Sequence, residues 1–388
     1  MPAKADKRKP TQQPTAELTW QQVMAWRLQR HQLDKRAPKG KLIEVVSGIC
    51  GLHAQLMSSA ELSMWARIKD LAPDVVQNAL WHDRSLVKTW AMRGTLHLLT
   101  ADDFPIWQSA LSTSASYRKG SWLKYHGVTL DEIEAIIEGV KTTLADKGIT
   151  REQLADGIAE RMKTPKLREL LRSGWGALLK PSAFQGNLCF GPNQGQNVTF
   201  VKPERWLKKW YTVPVEEAQQ EAFRRYLGAY GPATLEDWTR WFATTPARAK
   251  ALINELGEAI TLVDVEGAHS WMLAQDVEAA AKATIKEHVR LLPAFDPYVV
   301  GSSRNSEGLL ATKFKDRVHR PQGWISPVLL VDGQMRGVWK HELKSGRLNV
   351  EIEPFEKLPP WVREGAEAEA EELARFLGGK LEMSWTSL

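Results

Sequence analysis

The 388-residue chain has only two cysteines, Cys50 and Cys189. That is too few for a disulfide framework or a four-thiolate zinc site, and it suits a reducing cytoplasm. There is no Cys-x-x-Cys, no His-Glu-x-x-His and no Gly-x-x-x-x-Gly-Lys, so neither a metal nor a phosphate-cradling loop has a motif behind it and no cofactor is expected. No stretch approaches the roughly 20 apolar residues that span a bilayer. The opening MPAKADKRKPTQQPT is charged without an apolar centre, which reads as a disordered basic tail over 1–16 and not as an export signal. The expectation is a soluble, cytoplasmic chain with no membrane partner.

What is present is a mild excess of positive charge, with 52 Lys and Arg against 46 Asp and Glu, and 17 tryptophans. Net charge of +6 favours a polyanionic partner, nucleic acid before membrane, without specifying a site. Tryptophans serve as core fillers or as stacking surfaces for bases, and core packing is the commoner use.

Along the chain, Thr19 and Gln22 form a capping-box pair ahead of a helix that Pro38 and Gly40 close off. A second helix is expected from Lys41 to Cys50, and a third from the pair Ser58 and Glu61. Residues 51–57 are then a connector between helices. The runs 86–92 and 95–99 flank Arg93-Gly94 and predict a β-hairpin. Helices followed by a hairpin make the winged-helix order, in which a helix enters a DNA groove and the wing touches backbone or minor groove. The order recurs from Thr150 and Gln153, with Thr164-Pro165 opening a helix, a further helix around Trp175 to Leu179 and strands either side of GPNQGQ. It recurs again from Thr234 and Asp237, with Thr245-Pro246 and strands ITLVDV and SWML. Past residue 281, apolar runs punctuated by Gly and Pro predict a small β domain with a final helix that stops at Gly378-Gly379. The fold class expected is α+β: unit 1 over 17–145, unit 2 over 146–210, unit 3 over 211–280 and a C-terminal β domain over 281–388.

In the connector GLHAQLM an extended backbone would project His53 and Gln55 to one side, with Leu52 and Ala54 facing the protein. Imidazole and carboxamide each supply a donor and an acceptor, so together they could hold one water. The alternative is a pair that merely hydrogen-bonds its own connector.

GLHAQ, MRGTLHLL, LLPAFDPYVVG and PVLLVDGQMRGVW, in that order, resemble the AlkZ/YcaQ-type bacterial DNA glycosylases, also known as winged-helix DNA-binding domain proteins. The resemblance covers nearly the whole chain. It implies three tandem winged helices and a C-terminal β element around duplex DNA, acting as a monomer on bulky or crosslinking N7-alkylpurines. The family's paired polar residues, most often Gln-x-Gln or Gln-x-Asp, fall on His53 and Gln55. His-x-Gln resembles a subgroup associated with bulky, intercalating guanine adducts of microbial genotoxins.

A cation beside an oxocarbenium-like sugar would raise the barrier, so a neutral His53 that positions water, with Gln55 on its other side, is the expected arrangement. An N7-alkylguanine is already cationic and departs neutral, which leaves water placement and desolvation as the enzyme's task. Arg93 and Lys88 are candidates for phosphate or minor-groove contacts, although Arg-Gly is also a plain hairpin turn. His97 either lines the cleft or is a satisfied sheet histidine. Asp296 is expected to be a supporting residue in a turn. Lys313, Lys315 and Arg317, in the basic run that goes on to His319 and Arg320, either track phosphates or are a solvated loop. The competing functions are a non-catalytic winged-helix regulator and, more remotely, an RNA-associated protein.

Overall fold

Thr19 accepts the amide of Gln22 while the Gln22 carboxamide accepts the amide of Thr19, and the same reciprocal cap starts helices at Thr150 with Gln153 and at Thr234 with Asp237. Each cap satisfies two donors that the first helical turn leaves unpaired. Ser58 and Glu61 do not cap. Their helix begins at Met57 with Leu56 in the cap position, which puts Ser58 inside the first turn.

The structure, a computed structural model, describes residues 13–172, 176–302 and 306–386. Strand β1 (Glu17–Leu18) and helix α1 (Trp20–Arg30) come first. A repeat follows: α2 (Leu42–Gly48), β2 (Leu52–His53), α3 (Met57–Trp65), α4 (Val75–Trp81) and the hairpin β3 (Leu86–Trp90) and β4 (Leu96–Thr100), in sheet order β2-β4-β3. Helices α5 (Phe104–Leu111) and α6 (Gly120–His126) lead to a second: α7 (Leu130–Thr143), β5 (Ile149–Thr150), α8 (Arg151–Arg161), α9 (Lys166–Arg172), α10 (Lys180–Phe184), β6 (Cys189–Gln194) and β7 (Asn197–Val201), in order β5-β7-β6. A short α11 (Pro203–Trp206) precedes the third: α12 (Val215–Tyr230), α13 (Leu235–Phe242), α14 (Pro246–Leu256), β8 (Ile260–Val265) and β9 (Ala268–Leu273). There the short strand is reduced to Ala233, bridged to Trp271 of β9. Helix, short strand, two or three helices and hairpin thus recur three times, with the short strand always beside the second hairpin strand.

After α15 (Val277–Lys282), the C-terminal part holds β10 (Val289–Leu292), α16 (Pro297–Gly301), α17 (Lys315–Val318), β11 (Val328–Val331), β12 (Gln334–Lys344), β13 (Arg347–Pro354), α18 (Pro360–Leu377) and β14 (Lys380–Trp385). Its strands form one five-stranded sheet in sequence order, with β14 parallel to β13. Asp332 and Gly333 both take positive φ between β11 and β12, the geometry of a two-residue hairpin turn. Gly378 ends α18 in the left-handed conformation. A five-stranded sheet and a helix that stops at Gly378 are thus present in this part, and one further strand, β14, follows the helix.

Three expectations need correction. Strand β1 pairs parallel with β8, Leu18 opposite Val265, and Leu18, Val23 and Trp26 share a core with Val263, Val265 and Met272. The segment 17–30 therefore lies with unit 3 and not unit 1, because its apolar stripe has that sheet to bury against. The first helix of unit 2 is α7, before residue 146; Gly139 lets it approach Ile158 of α8 so closely that a Cβ would stand 2.7 Å from that side chain. The expected helix around Trp175 begins as a 3-10 turn at Ala177–Leu179 that runs into α10, and Trp175 itself lies outside the described residues.

The C-terminal sheet does not stand apart. Leu28, Leu33, Leu62 and Trp65, from α1 to α3, share one buried cluster with Leu291, Tyr298, Leu329 and Trp339. That seam brings the loop after β10 onto the first repeat.

Candidate active site

After α2 the chain turns through two left-handed residues, Cys50 (φ 62) and Gly51 (φ 92). A side chain at Gly51 would put its Cβ 2.8 Å from the carbonyl oxygen of Leu98, so only glycine permits this approach. The turn delivers β2 onto β4, with His53 opposite His97, and His97 in turn opposite Thr89 of β3. Residues paired across an antiparallel sheet point to the same face, so His53, His97 and Thr89 form one row.

Both histidines are buried. Their rings meet edge to face with centroids 5.4 Å apart, and the Nδ1 of His97 is 2.9 Å from the carbonyl oxygen of Thr95. The other side of His53 is covered by Phe295, whose ring is stacked at 4.8 Å and within 9° of parallel. His53 Nδ1 is buried with no hydrogen-bond partner. Burial, reinforced by the nearby Arg93 guanidinium, pulls the His53 pKa down to about 4. His97 is held well below its ordinary range by burial, then by His53 and Arg93. Both imidazoles are neutral at physiological pH.

Phe295 has φ 58, a left-handed conformation that costs a bulky residue roughly 1–2 kcal/mol and persists only where its surroundings dictate it. Its neighbour supplies the restraint. Asp296, fully buried, accepts both Nη atoms of the equally buried Arg67 at 2.7 and 2.8 Å and also the amide of Tyr298 at 2.9 Å. His31 lies between the rings of Tyr230 and Tyr298, its Nε2 3.1 Å from the carbonyl oxygen of Ala229. Asp296 is thus tied into a buried polar lattice and holds the Phe295 turn from behind. On the outer side of Phe295 the indole of Trp324, 44% exposed, packs edge to face at 5.0 Å.

The remaining candidates scatter. Leu52 and Ala54 face the protein as expected; Gln55 is exposed in the bend before α3, while His53 is buried, and no hydrogen bond joins the two among the described residues. Lys88 sits opposite Leu98, one residue out of the His97 row and therefore on the other face of the sheet, with Nζ 5.6 Å from the Phe190 ring. Arg93 (φ 58) is not at a free wing tip: it donates to the Trp241 carbonyl at 2.9 Å, because the hairpin turn is packed against the other repeats. Lys313 pairs with Glu356 at 2.6 Å and Arg317 with Glu353, while Lys315 is half-buried at the start of α17. Two cations of the basic run thus have acid partners at and just beyond the end of β13, which a linear reading does not see.

Sequence reasoning missed Phe295, Arg67 and Trp324. Phe295 lies inside the motif LLPAFDPY, but nothing in that string says that its ring reaches from the edge of the apolar core to cover His53. Arg67 follows an apolar helix and carries no local signal at all.

A family model described as DNA glycosylase AlkZ-like matches residues 46–376. The chain is 37% identical over 367 residues to an interstrand DNA cross-link repair glycosylase of Streptomyces sahachiroi, covering 93% of this chain and 97% of that one. It also superposes on the solved structure of the Streptomyces sahachiroi DNA glycosylase AlkZ with a TM-score of 0.87 and 36% identity, covering 95% of this chain and all of that one. With that match spanning most of the sequence, the chain belongs to the AlkZ-like DNA glycosylase family.

Proposed function

We propose that this DNA glycosylase hydrolyses the N-glycosidic bond of N7-alkylated guanine in duplex DNA, bulky or crosslinked adducts included, with His53 and Gln55 positioning the water. It acts as a monomer on DNA in the cytoplasm. Family membership favours this over a non-catalytic regulator. The cross-link repair named for the Streptomyces sahachiroi relative supports the substrate class.

The observation that carries the mechanism is a buried imidazole whose pKa is drawn down to about 4. In the proposed step, water oxygen bonds to C1′ as the C1′–N9 bond breaks and its electron pair neutralises the cationic base. Neutral His53 orients the water, whose proton passes to solvent. An imidazolium in that place would oppose the positive charge developing on the sugar; burial and Arg93 act against it. Gln55, exposed two residues on, supplies a carboxamide that accepts and donates without carrying charge.

The test is base release from a duplex containing N7-methylguanine, or a bulky N7 adduct, by the wild type, His53→Ala and Gln55→Ala. Release lost in the variants with DNA binding retained supports the assignment. No release by the wild type from any cationic lesion rejects it.

A further inference from the structure

Between α17 and β11 the chain makes a closed turn over residues 319–325. His319 and Ile325 are bridged antiparallel, the amide of Arg320 donates to the Trp324 carbonyl at 2.9 Å, and Gln322 (φ 61) and Gly323 (φ 76) carry the reversal in left-handed conformation. Ser326 ties the base of the turn to the end of α17 twice: its amide donates to the Val318 carbonyl at 2.9 Å and its hydroxyl to the Arg317 carbonyl at 2.8 Å. Residues opposite each other in such a pairing project to one face, which sets Arg320 and Trp324 side by side. Arg320 is exposed and has no acid partner among the described residues.

An exposed apolar side chain standing alone is ordinary on a protein surface. Trp324 is distinguished by where it stands. Its indole meets Phe295, whose ring lies flat on His53, so a row of rings leads from the buried imidazole out to solvent and Trp324 ends it. An indole already fixed by its own turn loses little freedom when a flat ring stacks on it. A group attached at N7 of a guanine extends away from the sugar carbon, so a surface that meets it has to stand off from a water-positioning His53 by about a ring, as Trp324 does. A flat polycyclic substituent presents a π-face to an indole and a methyl group presents none. Arg320, beside the indole, suits a phosphate of the strand that carries the adduct.

We propose that Trp324 is a specificity-determining residue: it stacks on the flat, polycyclic body of an adduct carried on guanine N7, with Arg320 on a phosphate of the same strand. This rests on the N7-alkylguanine reading above for the bond that is broken, whereas affinity for the adduct can be measured without breaking it.

Full-length protein is assayed on duplexes in which one guanine carries the aflatoxin B1 N7 adduct, flat and polycyclic, a nitrogen mustard N7 monoadduct, bulky and flexible, or an N7-methyl group. Trp324→Ala is expected to lower kcat/KM on the flat adduct about tenfold relative to the other two, the scale of one aromatic stacking contact, and Trp324→Phe should restore most of the loss. The mustard and methyl lesions register any disturbance that the variant passes through Phe295 to His53. Equal loss on all three lesions overturns the proposal, and so does no loss on any. Affinity is compared in a Gln55→Ala background, which leaves the row of rings intact while base release is lost. There the flat adduct should bind about tenfold more tightly than N7-methylguanine, and adding Trp324→Ala should abolish the difference; a preference that survives it overturns the proposal. Arg320→Ala should weaken all three duplexes alike and reduce the steepness of log Kd against log salt by about 0.9, the loss of one phosphate contact; an unchanged slope overturns the placement of Arg320. Absence of release of every lesion by the wild type would reject the glycosidic mechanism and leave the affinity comparison standing.

Discussion

Phe295 lies flat against His53, ring centroids 4.8 Å apart, although the two residues come from the C-terminal domain and the first repeat. The ring fixes the plane of an imidazole that has no hydrogen bond on its buried nitrogen to orient it. Under the proposed role of His53 that orientation matters steeply, since a misplacement of about 1 Å can cost on the order of 10²-fold in rate. Phe295→Ala is expected to lower kcat for base release about 10- to 100-fold while leaving duplex affinity within twofold. Phe295→Tyr, which keeps the ring, should recover most of the rate. Single-turnover kinetics alongside equilibrium binding check this, and an unchanged kcat in Phe295→Ala would show that the stack positions nothing.

The buried Arg67–Asp296 pair makes a prediction about stability. Both side chains are fully buried and doubly bonded, so removing one partner strands a charge in the interior, at a cost of about 3–5 kcal/mol. Asp296→Asn should lower the unfolding free energy obtained from urea titration by that amount. The double replacement Arg67→Met with Asp296→Leu should recover much of the loss, because well-packed apolar residues can substitute for a buried pair. An unfolding free energy for Asp296→Asn within about 1 kcal/mol of wild type would contradict this account of the turn.

Acid should act through the histidines. The folded chain holds His53 at a pKa of about 4 and pushes His31 and His97 well below 6.5, whereas in the unfolded chain all three titrate near 6.5. As pH falls below about 6.5 the unfolded state takes up protons that the folded state refuses, so stability declines, and the His53 share of the decline levels off below about pH 4. Base release, in contrast, should stay level through pH 6.5 and drop only near pH 4, where His53 itself charges. Arg93→Leu removes one cause of the depression and should move that drop upward. A rate step at pH 6.5 in the wild type would mean that His53 titrates as an unburied histidine.

The charge of the leaving base gives a fourth expectation. With neutral side chains at the site and no carboxylate assigned to the chemistry, a base that departs neutral should be released far faster than one that must be protonated first. Duplexes carrying N7-methylguanine and an uncharged adduct of similar size, compared at equal enzyme, should differ by at least the 10²-fold that a general acid would otherwise supply. Equal rates would call for an acid not identified among these residues.

How much of this was readable in the sequence depended on range. The caps at Thr19, Thr150 and Thr234 are three-residue devices, and they formed as read. The hairpin turns at Arg93-Gly94 and Asp332-Gly333 are likewise local. The pairing of His53 with His97 was not legible, because it depends on a two-residue strand meeting the second strand of a hairpin more than forty residues later. Phe295 over His53 and Arg67 in Asp296 are contacts across more than two hundred positions, set by how domains pack and by no periodicity. The acid partners of the basic run were not legible for the same reason: Glu356 beside Lys313 and Glu353 beside Arg317 are brought alongside by the fold and not by the order of residues.

The parallel pairing of Leu18 with Val265 has a temporal side. These partners are separated by roughly 250 residues, so at about 5–20 residues per second of synthesis the first strand waits on the order of 12–50 s for the edge it will occupy. Until then the apolar stripe of Val23 and Trp26 has no sheet to cover it, and the nascent chain exposes it outside the ribosome. Closure comes late, from the oldest residues returning to the newer ones. A fusion placed ahead of Glu17 would therefore delay or block assembly of the third repeat more than one placed after Trp385.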